Sequence, residues 1–279
     1  MTTGALQRLF AASESLPFQR PVIVGSELVS FSAILTLRDA GVTPVAMIEA
    51  NDRITAQRPG DLVVRLLLGT PVLTGTKLVR VNAEATDAGR LRSITVADGQ
   101  GMRDIVCDAV IFTGAFVPEA TVLAGWPPGT LAKGSRGPGV DQNWRLANPR
   151  IYAAGNVLRS VETAAWSRRE GQAAGAAIAD DIEGRTATPE RLIPVTCTGP
   201  VASSVPAAIA VPGPAPGPLQ MQIRMARAAH GRLTLTIDGR TVWRSARMHA
   251  LPERRIGLTR DLPALDIAAA IEIGFEEET

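Results

Sequence analysis

The chain has 279 residues, 46% hydrophobic and 20% charged, which is enough to build two globular cores and too apolar for a disordered chain. Its 29 basic and 27 acidic side chains leave a formal charge of +2, too small a surplus for a polyelectrolyte field, so nucleic acid is excluded as an expected partner. No stretch reaches the ~18 consecutive apolar residues that span a bilayer, and the start lacks the charged and apolar regions of a signal peptide; the chain is expected in the cytoplasm, away from membranes. Cys107 and Cys197 lack the C-x-x-C spacing of a redox or metal pair and read as incidental thiols, with no metal site expected.

In chain order, residues 21–25 and 44–49 are apolar runs of strand length, and Leu28, Phe31 and Leu35 between them have helical spacing. Strand, helix and strand with short turns predict a parallel βαβ unit. "TPVLTGTKLVRVNAE" and "RLRSITVADGQGMRDIVCDAVIFTG" then alternate like an antiparallel meander and end in a buried run at 109–112. A loop-rich stretch leads to "NPRIYAAGN", expected as a strand ending in glycine. "ETAAWSRREGQAAGAAIADDI" follows as a buried, alanine-rich helix with Gly184 at its C-terminal cap. Residues 186–218, rich in Pro, Ala, Ser and Gly, read as a linker. Beyond it, residues 219–279 read as a small β-rich domain with Asp238-Gly239 as a hairpin turn. The expected fold class is therefore α/β: a three-layer, Rossmann-like nucleotide-binding domain followed by a small β-rich domain.

"VIVGSELVSFSAILTLRDAG" opens like a dinucleotide-binding unit, but the three glycines of G-x-G-x-x-G read Gly25, Glu27 and Ser30, with Ser26 between the first two. The second glycine normally lets the backbone approach a pyrophosphate seated on the helix N-terminus. Glu27 removes that clearance, and its carboxylate repels a diphosphate by ~1 kcal/mol in water and ~4 kcal/mol at an effective dielectric of 20, for a separation of ~4 Å. Without a ligand the same charge favours the helix end by ~0.3–1 kcal/mol, so Glu27 reads as a built-in anion at the phosphate position. Glu49 closes the second strand, where an acid would accept the ribose hydroxyls of NAD and repel the 2′-phosphate of NADP. Tight NAD binding is not expected.

From residue 2 to about 184 the sequence resembles the flavin-dependent pyridine-nucleotide-disulfide-oxidoreductase-like proteins, in particular subunits of the opine oxidase and hydrogen cyanide synthase type. "TTGALQRLF" resembles the helix leading from the flavin domain of that family into its nicotinamide domain. "VDQNWRLANPRIYAAGN" resembles the second flavin motif, whose Gly-Asp pair meets the ribitol; here the pair is Gly155-Asn156. "EGQAAG" matches the helix whose start, at Glu162 and Thr163, lies under the isoalloxazine ring. The resemblance implies a linker helix at 1–20, a nicotinamide-type domain at 21–117 and the C-terminal part of a flavin domain at 118–185. It also implies FAD as the cofactor of a partial site, because the family's first flavin motif has no counterpart in the sequence. A flavin-domain partner or another oxidoreductase subunit is then expected to supply the missing half.

Asn156 offers a neutral carbonyl to a ribitol hydroxyl in place of a charged one. Gly171 and Gly175 are expected to let their helix pack closely. Arg168, Arg169 and Glu162 could meet a substrate carboxylate, or form a solvated helix face. Both histidines, His230 and His249, fall in the β-rich tail, which leaves no histidine acid or base in the flavin-like part. Between Arg224 and Arg260 nine arginines face two acids, read as outward strand positions balanced in part by the terminal "GFEEET". The function expected from the resemblance is part of a flavin-dependent dehydrogenase of a small amine or amino-acid-like donor, with an acceptor other than NAD. The alternatives are an NAD(P)H-dependent flavin reductase and a non-catalytic scaffold subunit.

Overall fold

The computed structural model describes residues 1–56, 69–83, 90–127, 130–211, 218–261 and 270–278. The chain divides into two compact units, Met1–Ala115 and Phe116–Thr279.

In the first unit α1 (Thr3–Ser13) precedes β1 (Pro21–Val24), α2 (Leu28–Asp39), β2 (Ala46–Ile48) and β3 (Val72–Leu73). A meander of β4 (Lys77–Ala83), β5 (Leu91–Asp98) and β6 (Gly101–Val106) leads into β7 (Ala109–Phe112). The strands β3-β2-β1-β7 form a four-stranded sheet, parallel throughout. Alternation along these strands builds the layers. Ile23, Met47 and Ile111 turn to one face and pack with Leu6, Ala33, Ile34 and Leu37 of the helices. Val22, Ala46, Ile48 and Val110 turn to the other and pack with Ile94, Val96 and Ile105 of the meander. Helices, parallel sheet and meander are the three layers expected.

The face that α2 buries is built on small residues. Leu28 and Leu35 are exposed, at 66% and 49%, and the buried stripe is Ser30, Ala33, Ile34 and Leu37. Small side chains at Ser30 and Ala33 let the helix backbone approach the sheet, and the larger apolar residues beside them turn outward.

The second unit contains α3 (Ala164–Ile182) and the strands β8 (Arg191–Cys197), β9 (Val201–Val205), β10 (Ala208–Val211), β11 (Leu219–Met225) and β12 (Ala229–Ile237). They are followed by β13 (Arg240–Arg244), β14 (Met248–Ala250), β15 (Ile256–Arg260) and β16 (Ile271–Glu277). One sheet runs β10-β8-β16-β12-β13, with β14 also on β12, and the other runs β15-β11-β9. Ile193, Ile209, Leu233, Leu235 and Ile273 from the first sheet share a core with Val201, Met221, Ile223 and Leu258 from the second. Asp238 and Gly239 both have positive φ, 47° and 77°, between the paired residues Ile237 and Arg240, which is the predicted two-residue hairpin.

Four expectations need correction here. The stretch 186–218 read as a linker contains β8, β9 and β10, which belong to the β-rich fold; its residues 212–217 lie outside the described residues. The predicted strand at "NPRIYAAGN" is limited to an isolated bridge between Arg145 and Tyr152. The helix expected to be buried, α3, buries only Glu170 and Ala174. Nothing lies near the added Cβ of a side chain at Gly171 or Gly175, so neither glycine packs closely against another described element. The predicted cap does form: Gly184 has φ 69° and donates to the Asp181 carbonyl at 3.1 Å.

Candidate functional site

The loop after β1 ends in Gly25, whose φ of 109° suits glycine, and Glu27 stands at the N-terminal cap of α2. The Glu27 carboxylate lies against the two glycines that flank it in space. A side chain on Gly25 would come within 2.6 Å of Glu27 Oε2, and one on Gly114, after β7, would overlap the same carboxylate. The Thr113 hydroxyl donates to Glu27 Oε2 at 3.4 Å. Burial pushes the Glu27 carboxyl above its ordinary value and the nearby Glu49 adds to the push, against backbone N–H groups of Glu27 and Ser26 that favour the ionised form.

Glu49 is buried at the end of β2, with both oxygens engaged. Ser26 Oγ donates to Oε2, while Asn51 donates to Oε1 through its backbone N at 2.8 Å and Nδ2 at 2.7 Å. Ser26 Oγ in turn accepts from the Thr55 backbone N at 2.9 Å. The four residues singled out in this loop, Gly25, Ser26, Glu27 and Glu49, therefore come together, and they are held by partners within the chain.

Because the folded state raises the Glu27 value, it holds the proton more tightly than the unfolded chain, and stability falls as pH rises through the window above the ordinary glutamate value. Glu27→Gln lacks this term. Urea midpoints measured from about pH 4 to 7 are expected to show the variant gaining on wild type as pH rises.

In the second unit Gly155 (φ 78°) and Asn156 form a short 3-10 turn, Gly155–Val157, ahead of α3. Asn156 is exposed, and its amide pairs with the Glu162 backbone: Oδ1 accepts from N at 2.7 Å and Nδ2 donates to O at 3.3 Å. Thr163 caps α3, its hydroxyl accepting from the Trp166 N at 3.3 Å, and Thr163, Ala164 and Ala165 are exposed. The first N–H groups of the helix, which have no intrahelical acceptors, thus lie at an open helix end.

Under this turn lies a buried ionic cluster. Glu162 meets Arg224 Nη2 and Arg255 Nη1 at 2.5 Å each and Arg159 Nε at 3.4 Å. Glu170 accepts from the Gly155 backbone N at 2.9 Å through Oε2. Its Oε1 accepts from Trp166 Nε1 at 2.7 Å, Gln222 Nε2 at 2.8 Å and Arg159. Burial alone would raise the Glu170 carboxyl, but Arg159, Gln222 and Trp166 outweigh it and hold the group below its ordinary value. The Arg255 guanidinium stacks 3.5 Å from the centre of the Trp166 ring. Arg159 is itself buried, and its Nη1 makes no hydrogen bond among the described residues.

Of the candidate residues here, Gly155, Asn156, Glu162 and Thr163 do converge at one helix start, and Arg168 and Arg169 stay on its exposed face. The sequence reading missed Arg159, Glu170, Gln222, Arg224 and Arg255. One signal was available: Glu162, Trp166 and Glu170 recur every four residues, which places two acids on the indole's side of the helix.

A crystal structure of thioredoxin reductase from T. acidophilum is similar to this chain at 18% identity and a TM-score of 0.52, over 66% of this chain and 57% of that one. About two thirds of the chain shares its fold with part of thioredoxin reductase. A second structure of this reductase, from Lactococcus lactis in its FR conformation, matches at 15% identity and a TM-score of 0.50, over 59% of this chain and 54% of that one. The chain spans little more than half the length of either reductase. No family model matches the chain, and no curated protein matches its sequence.

The remaining expectations concern the tail and the thiols. Arg227, Arg244 and Arg247 pair with Glu277, Glu276 and Glu278, so the acidic end does balance part of the arginine surplus. His230 and His249 face each other across β12 and β14. Cys107 is buried, and burial together with Asp108 pushes its thiol up to about 11, as expected of an unreactive side chain. No metal-binding group of His, Cys, Asp and Glu occurs among the described residues, and no described helix is long and apolar enough to cross a membrane.

Proposed function

We propose that this chain supplies the ring and ribitol side of a flavin site in a cytoplasmic, flavin-dependent oxidoreductase. A flavin-domain half on a partner supplies the pyrophosphate loop and the adenosine acid. The substrate class is a small amine or amino-acid-like donor, and the electrons leave to an acceptor other than NAD.

The observation that carries this reading is the open start of α3 beside an exposed Asn156, in a fold of reductase type. Asn156 Oδ1 keeps a lone pair beyond the one given to the Glu162 N–H, which suits a ribitol hydroxyl. The free N–H groups and positive helix end at Thr163–Ala165 suit the electron-rich edge of a reduced ring. Bound there, the flavin supplies the hydride-accepting chemistry, and the chain's part is to bind and orient it.

A second reading, a non-catalytic scaffold subunit, draws support from Gly155, whose N–H is already given to Glu170.

The test mixes this chain with a separately expressed flavin-domain half taken from a full-length relative. The chain alone is expected to be colourless, and the mixture to retain flavin through gel filtration and reduce a dye with amine or amino-acid donors. Asn156→Leu in the mixture is expected to weaken flavin retention about fivefold, the worth of one hydrogen bond. A mixture that associates stably but retains no flavin, and is indifferent to Asn156→Leu, overturns the first reading in favour of the scaffold.

A further inference from the structure

The nucleotide-type loop of the first unit is a cradle built for an anion. Gly25 and Gly114 both lack the side chain that would fill it, and backbone N–H groups of Ser26 and Glu27 and the Thr113 hydroxyl offset part of the penalty that burial and Glu49 impose on an anion there. The anion in it is the chain's own Glu27 carboxylate.

The second half of a dinucleotide site is engaged in the same way. Glu49, the acid that would take ribose hydroxyls, holds the Ser26 hydroxyl and the Asn51 amide. Ser26 joins the two halves, since it lies in the glycine loop, donates to Glu49 and anchors the 55–56 turn through Thr55 N and Ala56 N.

The geometry points to a self-filled site: Glu27 takes the place of a diphosphate and Ser26 that of a ribose hydroxyl, and the first unit keeps a nucleotide-binding fold while refusing a dinucleotide. The latent ligand class is an adenosine diphosphate-type anion. The refusal is produced by two side chains and not by loss of the cradle. On the flavin reading proposed above, nicotinamide would have no place in this unit to take up electrons. The inference concerns the first unit alone and holds whether or not a flavin binds the second.

The test is calorimetry of the full chain with ADP-ribose and with inorganic pyrophosphate, for wild type, Glu27→Gly, Ser26→Ala and the double variant. Wild type is expected to bind neither probe at about 1 mM. Glu27→Gly is expected to tighten both by at least about tenfold, because repulsion and bulk leave together. Adding Ser26→Ala is expected to tighten ADP-ribose a further ~fivefold and leave pyrophosphate unchanged, because only ADP-ribose has hydroxyls for the Glu49 Oε2 that Ser26 releases.

Thermal melts check that each variant is folded, and Glu27→Gln, which keeps the size and removes the charge, stands in if the glycine variant is not. Wild type binding ADP-ribose as tightly as the variants overturns the inference. So does a folded Glu27→Gly or Glu27→Gln chain that gains affinity for neither probe.

Discussion

Glu162→Leu is expected to lower the stability of the second unit by about 3–5 kcal/mol, the usual cost of removing one partner from a buried ion cluster. The substitution takes a carboxylate from three guanidinium groups, of which Arg159 and Arg224 are nearly inaccessible to solvent. For a domain of this size, that loss corresponds to a fall in Tm on the order of 10 °C. Arg255→Met, at the half-exposed member of the cluster, is expected to cost about 1 kcal/mol, since solvent screens that pair. Denaturant unfolding followed by tryptophan fluorescence reads both, with Trp166 reporting directly on the cluster. Equal small losses for the two variants would show that water reaches Glu162 and that the cluster is not buried in solution.

The second large effect is expected at Glu170. Its carboxyl lies below the ordinary value in the folded protein because Arg159, Gln222 and Trp166 outweigh the cost of burial. The unfolded chain then binds the proton more readily. The stabilisation is fully present above the ordinary carboxylate range and is lost as pH falls through the lowered folded value. Glu170→Gln removes the charge while Arg159 stays buried, and about 3 kcal/mol of stability at neutral pH is expected to go with it. Wild type and variant should converge as the pH is lowered, and unfolding midpoints measured between about pH 7 and 3 check the convergence. A gap that stays constant with pH would mean that Glu170 acts through shape alone.

The parts of the fold legible in the sequence were those whose signal is local. The strand, turn and helix at β1 and α2 follow from an apolar run, Gly25 and helical spacing, and the Asp238-Gly239 hairpin follows from two residues. Apolar spacing located α2 but did not fix its buried face, which close packing on the sheet sets with Ser30 and Ala33 beside Ile34 and Leu37. β8, β9 and β10 were hidden by composition: proline and small residues are common in linkers, and here they belong to short strands that pack on a shared core. β16 carried a plain alternation of Ile271, Ile273 and Phe275 that its run of acids obscured.

At the candidate site, Gly155, Asn156, Glu162 and Thr163 were found by motif. The arginines were not, since Arg224 and Arg255 lie 62 and 93 residues from the glutamate they meet, a distance over which no periodicity speaks.

The position of β16 bears on how the second unit is made. This strand lies between β8, with which it is parallel, and β12, with which it is antiparallel, in the middle of its sheet. During synthesis β8 and β12 emerge well before residues 271–277 leave the ribosome, and until then each has an unpaired inner edge. The first unit has no such dependence, as its parallel sheet, among the described residues, is made of strands that end at residue 112. Nascent chains are therefore expected to carry a folded front half and an unfinished rear half with two open edges, the arrangement most prone to edge-to-edge association. A premature stop anywhere after β15 and before β16 would leave that arrangement permanent, and its product should be found in aggregates or held by chaperones.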